Sequence, residues 1–78
     1  MKTITTAIRI AIPIDATREY LQRELENAKD RCRKNIKSKL DTNKISGNLD
    51  DIEYAVYRFP EDEWQPTIAY IIKAILKV

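Results

Sequence analysis

Residues 16–42 contain neither proline nor glycine, an unbroken stretch in a chain of 78 residues. Within it an apolar side chain recurs every three or four positions, which is the period of one face of an α-helix. The pattern predicts a helix of about 27 residues and about 40 Å, with Asp15 as its N-cap and a turn over residues 43–48 at its end. The apolar stripe consists of Leu21, Leu25, Ala28, Cys32, Ile36 and Leu40.

The segments on either side of this helix have the period of β-strands. Residues 3–12 place isoleucine or threonine at every second position, and Pro13 follows, which lacks the N–H group that a sheet ladder needs. Residues 51–59 also alternate, with Tyr54 and Val56 on one side of the backbone. Both segments are therefore predicted to be strands.

The last segment, residues 67–78, fits two structures. As a strand, its isoleucines and Tyr70 divide between two faces of a sheet. As a helix, it would begin near Pro66, and Ile68, Ile71 and Ile75 would share one stripe. The β-branched composition and the lack of a capping residue at the end favour the strand.

The fold class predicted from this order is α+β, in one domain over residues 1–78. Strand, helix, strand and strand form a three-stranded sheet with one long helix packed on one face. A right-handed crossover through the helix makes the first two strands parallel, and the third strand pairs between them or at an edge. If residues 67–78 are helical instead, the order is β-α-β-α.

A single helix can cover only one face of such a sheet, so the composition of the other face is informative. An uncovered antiparallel face is normally polar. Here it would carry large apolar side chains beside the cations Arg9 and Lys73, which is typical of an interaction surface. We expect self-association through this face, with a different protein or a nucleic acid as alternative partners. The expected oligomer interface comprises Tyr57, Phe59, Ile71 and Ile75.

The net charge of +2 hides a strong separation along the chain. Residues 29–44 hold seven basic and two acidic side chains, a net +5, and residues 45–66 hold one basic and six acidic, a net −5. The spacing favours a solvated face at the basic end of the helix, on which Asp30 and Asp41 form local ion pairs. The alternative is a site for phosphates or for an acidic protein. The candidate binding residues are Lys29, Arg33, Lys34, Lys37 and Lys44.

Most enzyme chemistries are excluded by composition. The chain has no histidine, one cysteine and one glycine, which removes histidine-dependent catalysis, disulfides within the chain, cysteine–histidine zinc sites and glycine-rich phosphate loops. The carboxylates of Asp50, Asp51 and residues 61–63 lack the spacing of a known metal loop. We therefore expect no enzyme activity, metal or cofactor. Trp64 either anchors a partner from its loop or closes one end of the core.

The order of elements resembles that of the dodecins, small flavin-binding oligomers. In that family the tryptophan that stacks on the ligand belongs to the start of the second strand, where this chain has Asp51 and Ile52, and Trp64 falls in the following loop. The resemblance is one of element order and does not extend to the flavin site.

These features predict a small, non-enzymatic binding module of the cytoplasm that forms homo-oligomers, dimers among them, and binds a macromolecule by charge. Compact inhibitors and adaptors encoded by phages and other mobile elements have this character. The alternative is a nucleic-acid-binding protein that uses the basic helix and the aromatic sheet face. No stretch is apolar enough to suggest a membrane span or a signal peptide.

Overall fold

The computed structural model describes residues 2–60 and 66–78. It confirms the α+β class, the order strand, helix, strand, strand, and the strand rather than the helix at the end of the sequence. A single 3-10 turn precedes the second strand. The elements are β1 (Thr3–Pro13), α1 (Arg18–Thr42), the 3-10 turn (Leu49–Asp51), β2 (Glu53–Pro60) and β3 (Thr67–Lys77).

The sheet has the strand order β1-β3-β2. β3 pairs antiparallel with both neighbours, in a continuous register that sets Ile8 opposite Ile72 and Ile72 opposite Val56. β1 and β2 therefore run parallel to each other without touching, as the crossover through α1 requires. The last strand of the sequence is the central strand of the sheet.

The core lies between α1 and one face of the sheet, here called the helix face. The alternation in β1 buries Ile4, Ile8 and Ile12 there, and β3 adds a second row of buried side chains. The predicted stripe of α1 packs onto these rows, and four of its members are buried. The buried core residues of β3 and α1 are Ile72, Ala74, Leu76, Ala28, Cys32, Ile36 and Leu40.

The helix begins later than the sequence pattern suggested, and its N-cap is Thr17, not Asp15. The side chain of Thr17 accepts a hydrogen bond from the backbone N–H of Tyr20 at 3.1 Å. Pro13 ends the strand, and the backbone N–H of Ala16 donates to the Pro13 carbonyl in a turn. Asp15 lies within this turn, so its carboxylate does not reach the free N–H groups of α1.

The helix ends in a Schellman motif at the predicted turn. The N–H of Ile45 donates to the Leu40 carbonyl at 2.9 Å, and the N–H of Lys44 donates to the Asp41 carbonyl at 3.3 Å. Lys44 occupies the left-handed position, with a φ of 53°. Gly47 has a different reason to be glycine, because a Cβ there would lie 2.8 Å from Cγ1 of Val78.

The helix lies over β1 and β3 and leaves β2 largely uncovered. Two polar contacts hold it on the β1 side: Lys39 Nζ donates to the backbone carbonyl of Thr5 at 2.6 Å, and Asn35 donates to the hydroxyl of Thr6 at 3.5 Å. Three strands span about 14 Å and a helix about 10 Å, so one helix does not cover the sheet's full width. Among the described residues, no helix has the length and apolar character needed to cross a membrane.

Candidate functional site

The sheet face away from α1, here called the open face, has the composition that the sequence predicted. The register places Arg9, Ile71 and Tyr57 in one row across the three strands, and Ala11, Ala69 and Phe59 in the next. No helix or strand among residues 2–60 and 66–78 lies on this face. Its central row therefore combines a cation, an aliphatic side chain and an aromatic ring.

The four residues of the predicted oligomer interface do not form one patch. Tyr57 and Ile71 are directly opposite each other, and Phe59 lies two positions along β2; both aromatic rings are 49% exposed. Ile75 lies four positions from Ile71, about 13 Å along the strand, with Lys73 between them. The apolar patch on the open face is thus Tyr57, Phe59 and Ile71, and Ile75 is separate from it.

Both sides of β2 expose apolar side chains, a feature that the sequence reasoning missed. On the helix face, Tyr54 is 36% and Val56 is 42% exposed because α1 does not extend over them. Together with Tyr57 and Phe59 on the open face, they are four of the five large apolar side chains exposed in the described chain. β2 also forms an edge of the sheet, so one side of its backbone has no neighbouring strand among residues 2–60 and 66–78.

The five candidate binding residues of the basic segment divide into two groups. Arg33 lies 3.4 Å from the carboxylate of Asp50, and Lys29 lies 3.8 Å from Glu26 and 6.0 Å from the centre of the Tyr54 ring. These two side chains are held by their neighbours. The side chains of the other group form no ion pair or hydrogen bond within the described part of the chain, and they are exposed. This group consists of Lys34, Lys37 and Lys44.

The local ion pairs predicted for α1 are wrong. The two ion pairs in the described ranges are Lys29–Glu26 and Arg33–Asp50, and neither involves Asp30 or Asp41. Arg33 reaches instead to the 3-10 turn, 17 residues away in sequence. A pair of this kind depends on how the elements pack and has no signature in the helical period.

The two candidate surfaces lie on opposite sides of the molecule. α1 lies on the helix face, whereas Tyr57, Phe59 and Ile71 lie on the open face. A single nucleic-acid strand would have to pass around an edge of the sheet to contact both. Base stacking on the open face and phosphate binding by the helix are therefore separate properties.

The single cysteine is part of the core. Cys32 is fully buried in the α1 stripe, and its thiol donates a weak hydrogen bond to the backbone carbonyl of Ile72 at 3.6 Å. Burial raises the pKa of this thiol above its ordinary value of 9.0, and the nearby Arg31 opposes the shift without cancelling it. A buried, protonated thiol is a poor nucleophile, so the structure offers no chemistry at this position.

Trp64 and the acidic residues 61–63 lie outside the described residues. Comparison with models of known protein families, with curated proteins and with solved structures finds no match for this chain.

Proposed function

We propose that this chain is a small, non-enzymatic binding module that self-associates through its sheet and binds an acidic macromolecule through its basic helix. It would act by occupying a surface, as an inhibitor or adaptor of the kind that phages and mobile elements encode. A cytoplasmic setting fits the unpaired Cys32. The observation that carries the proposal is the set of apolar side chains exposed on the sheet.

The dimensions of the sheet suit a protein interface. Two strands of 11 residues and one of 8, at about 3.3 Å per residue and about 4.8 Å per strand, give a flat area of about 500 Å² before the relief of the side chains is counted. A stable interface buries about 800 Å² on each partner, the same order of size. Tyr57 and Phe59 are aromatic residues of the type enriched in such interfaces.

The charge on the helix supports a second contact with an acidic partner. Lys34, Lys37 and Lys44 are exposed and have no ion pair within the described residues, so a partner's carboxylates would not have to displace existing bonds. Arg33 already contacts Asp50, and we expect it to contribute less. Exposed charges of this kind mainly accelerate association, and their effect decreases with salt.

Light scattering across a dilution series tests the self-association. We expect a dimer or a larger species at high concentration that dissociates on dilution. A monomer of 9.1 kDa at every concentration would contradict this part of the proposal.

A binding titration at two salt concentrations tests the charge contact, with polyglutamate as a probe for an acidic protein. We expect salt-dependent binding that is lost in the triple variant Lys34→Glu, Lys37→Glu, Lys44→Glu. The control is Lys2→Glu with Lys77→Glu, two exposed cations away from α1. Absence of binding at low salt would remove this contact from the proposal.

The same titration with labelled single- and double-stranded oligonucleotides tests the alternative. The row of Arg9 and Tyr57 on either side of Ile71 is the arrangement that favours nucleic acid, because a cation and an aromatic ring together suit a single strand. Binding of oligonucleotides in preference to polyglutamate, weakened by Tyr57→Ala, would favour nucleic-acid binding over the protein partner.

A further inference from the structure

We infer that two copies of this chain pair through their β2 edges, antiparallel about a two-fold axis at Val56, into one continuous six-stranded sheet with both helices on the same side. The inference rests on the self-association proposed above and specifies where it occurs. A strand edge with unpaired backbone N–H and C=O groups is a template for another strand.

The two edges of the sheet, β1 and β2, differ in how well they are protected against pairing with another strand. Along β1, the charged side chain of Lys39 donates to the backbone carbonyl of Thr5 and so covers part of that edge. Charged side chains that cap or interrupt an edge discourage pairing with another strand. β2 pairs in unbroken register with β3 over its full length, and no hydrogen bond from a side chain to its backbone occurs in the described part of the chain. β2 is therefore the edge left available.

The position of α1 leaves room for the second copy. The helix packs on β1 and β3, and an axis midway between them is about 7 Å from the line of β2 at a strand spacing of about 4.8 Å. In the paired sheet the two helix axes would be about 19 Å apart, about twice the distance between packed helices. The helices therefore do not collide, and the exposed Tyr54 and Val56 of both copies lie between them.

The sequence of β2 is complementary to itself in this register. A two-fold axis at Val56 sets Val56 against Val56 of the second copy and Tyr54 against its Arg58, so that a cation faces an aromatic ring. On the open face it sets Tyr57, with its large ring, against Ala55. Each contact occurs twice, and no two like charges of β2 are opposite each other.

Packing two open faces together is less favourable. Within the described residues the open face carries Lys73 and Lys77 against Glu53, so two stacked faces would bring ammonium groups together and away from water. Edge pairing leaves these cations in solvent, and it still adds neighbours to all four exposed apolar side chains of β2. The charge distribution thus favours the edge over the face.

Disulfide cross-linking tests the register. Val56→Cys sets two thiols across the axis at the separation of directly opposite residues, which suits a disulfide. We expect oxidation to link this variant into dimers at least about tenfold faster than Ile14→Cys, an exposed control outside the sheet, or Ile71→Cys on the open face. The wild-type chain, whose only thiol is the buried Cys32, should not cross-link.

A charge substitution provides an independent readout. Val56→Lys sets two ammonium groups against each other at the axis, and we expect the dimer to weaken by about tenfold or more. Val56 is already 42% exposed, so the free energy of unfolding of the monomer should change little. Ile14→Lys is the matched control and should associate like the wild type.

The possible outcomes distinguish edge pairing from the broader proposal of self-association. Association that survives Val56→Lys but is lost in Ile71→Lys, with cross-linking through Ile71→Cys, would overturn edge pairing and retain self-association through the open face. A wild-type chain that stays monomeric at every concentration would overturn both. Cross-linking at Val56 with loss of association in Val56→Lys supports the pairing proposed here.

Discussion

The ammonium group of Lys29 lies 6.0 Å from the centre of the Tyr54 ring, and this contact joins α1 to the one strand that the helix does not cover. The same lysine is 3.8 Å from Glu26 on its own helix. Burial raises the pKa of the Tyr54 phenol above its ordinary value of 10.0, against a smaller opposing effect from Arg33, so the ring is neutral near neutral pH. The helix thus contacts β2 through a long side chain, that of Lys29.

A double-mutant cycle measures the Lys29–Tyr54 contact. We expect Lys29→Met and Tyr54→Leu to show a coupling of about 0.5 kcal/mol in the free energy of unfolding, because the pair is partly exposed and at the outer limit of a cation–π distance. Arg23 and Tyr54 are the matched control pair, since Arg23 contacts Tyr20 instead. A coupling equal to that of the control would show that the contact contributes nothing.

The position of the N-cap at Thr17 leads to a second prediction. Thr17→Ala removes the side-chain acceptor of the Tyr20 N–H group, and we expect the free energy of unfolding to decrease by about 1 kcal/mol. Asp15→Ala, two residues earlier, should change it by less than about 0.5 kcal/mol, because Asp15 is exposed in the preceding turn. Urea denaturation of both variants is the measurement, and a larger loss for Asp15→Ala would restore it as the cap.

The space beside Gly47 is too small for an added Cβ unless neighbouring side chains move. A Cβ at this position would meet Val78, Leu76 and Leu40 at 2.8, 3.2 and 3.4 Å, so we expect Gly47→Ala to destabilise the fold by about 1–3 kcal/mol. Ser46→Ala, at the exposed neighbouring position, provides the comparison in the same denaturation experiment. Equal stability of the two variants would mean that the C-terminal end of β3 moves aside without cost.

Lys44 is a position where a substitution should stabilise the protein. Its φ of 53° is unfavourable for a residue with a Cβ, and Gly is the usual residue at this place in a Schellman motif. We expect Lys44→Gly to raise the free energy of unfolding by about 0.5–1 kcal/mol. Lys44→Ala removes the same charge but keeps the Cβ, so a gain in both variants would point to charge and not to backbone conformation.

Stability should fall at alkaline pH partly because of Cys32. Since burial raises the pKa of the thiol in the folded state, its contribution is fully present below the ordinary value of 9.0 and is lost as pH rises through the folded pKa. Cys32→Ala will be less stable at neutral pH, because it leaves a cavity, but its stability should decline less between pH 8 and about pH 11. Burial also raises the pKa of Tyr54, so Tyr54→Phe measures how much of the alkaline loss of stability comes from that residue. If the free energy of unfolding of Cys32→Ala fell with pH as steeply as that of the wild type, Cys32 would not be a source of the alkaline loss of stability.

The helix and the strands of this fold could be predicted from periodicity, because an element buried on one side has apolar residues at its own structural period. Ile4, Ile8 and Ile12 are buried as the alternation in β1 required, and Ile36 and Leu40 as the helical stripe required. Residues 67–78 fitted both periods, and their β-branched composition gave the correct answer. Local patterns therefore suffice for the elements and for which side of each one faces the core.

The surfaces depended on packing between elements, which periodicity does not record. The sideways position of α1 leaves Tyr54 and Val56 exposed on a face that the alternation of β2 marks as buried. One signal was available: β2 places Arg58 where β1 and β3 place apolar residues, which indicates that its helix side reaches solvent. The pairing of Arg33 with Asp50 had no comparable signal.

The position of β3 between the other two strands determines how the chain must fold. β1 and β2 share no hydrogen bonds, so neither can form sheet until β3 is available, and pairing β1 with β3 closes a loop of more than 50 residues. During synthesis on a ribosome, the apolar sides of α1 and β1 stay exposed until residues 67–77 emerge. Entropy of loop closure makes this long-range pairing of β1 slower than the pairing of β2 with β3, which only six residues separate, so the addition of β1 is the late step in forming the sheet.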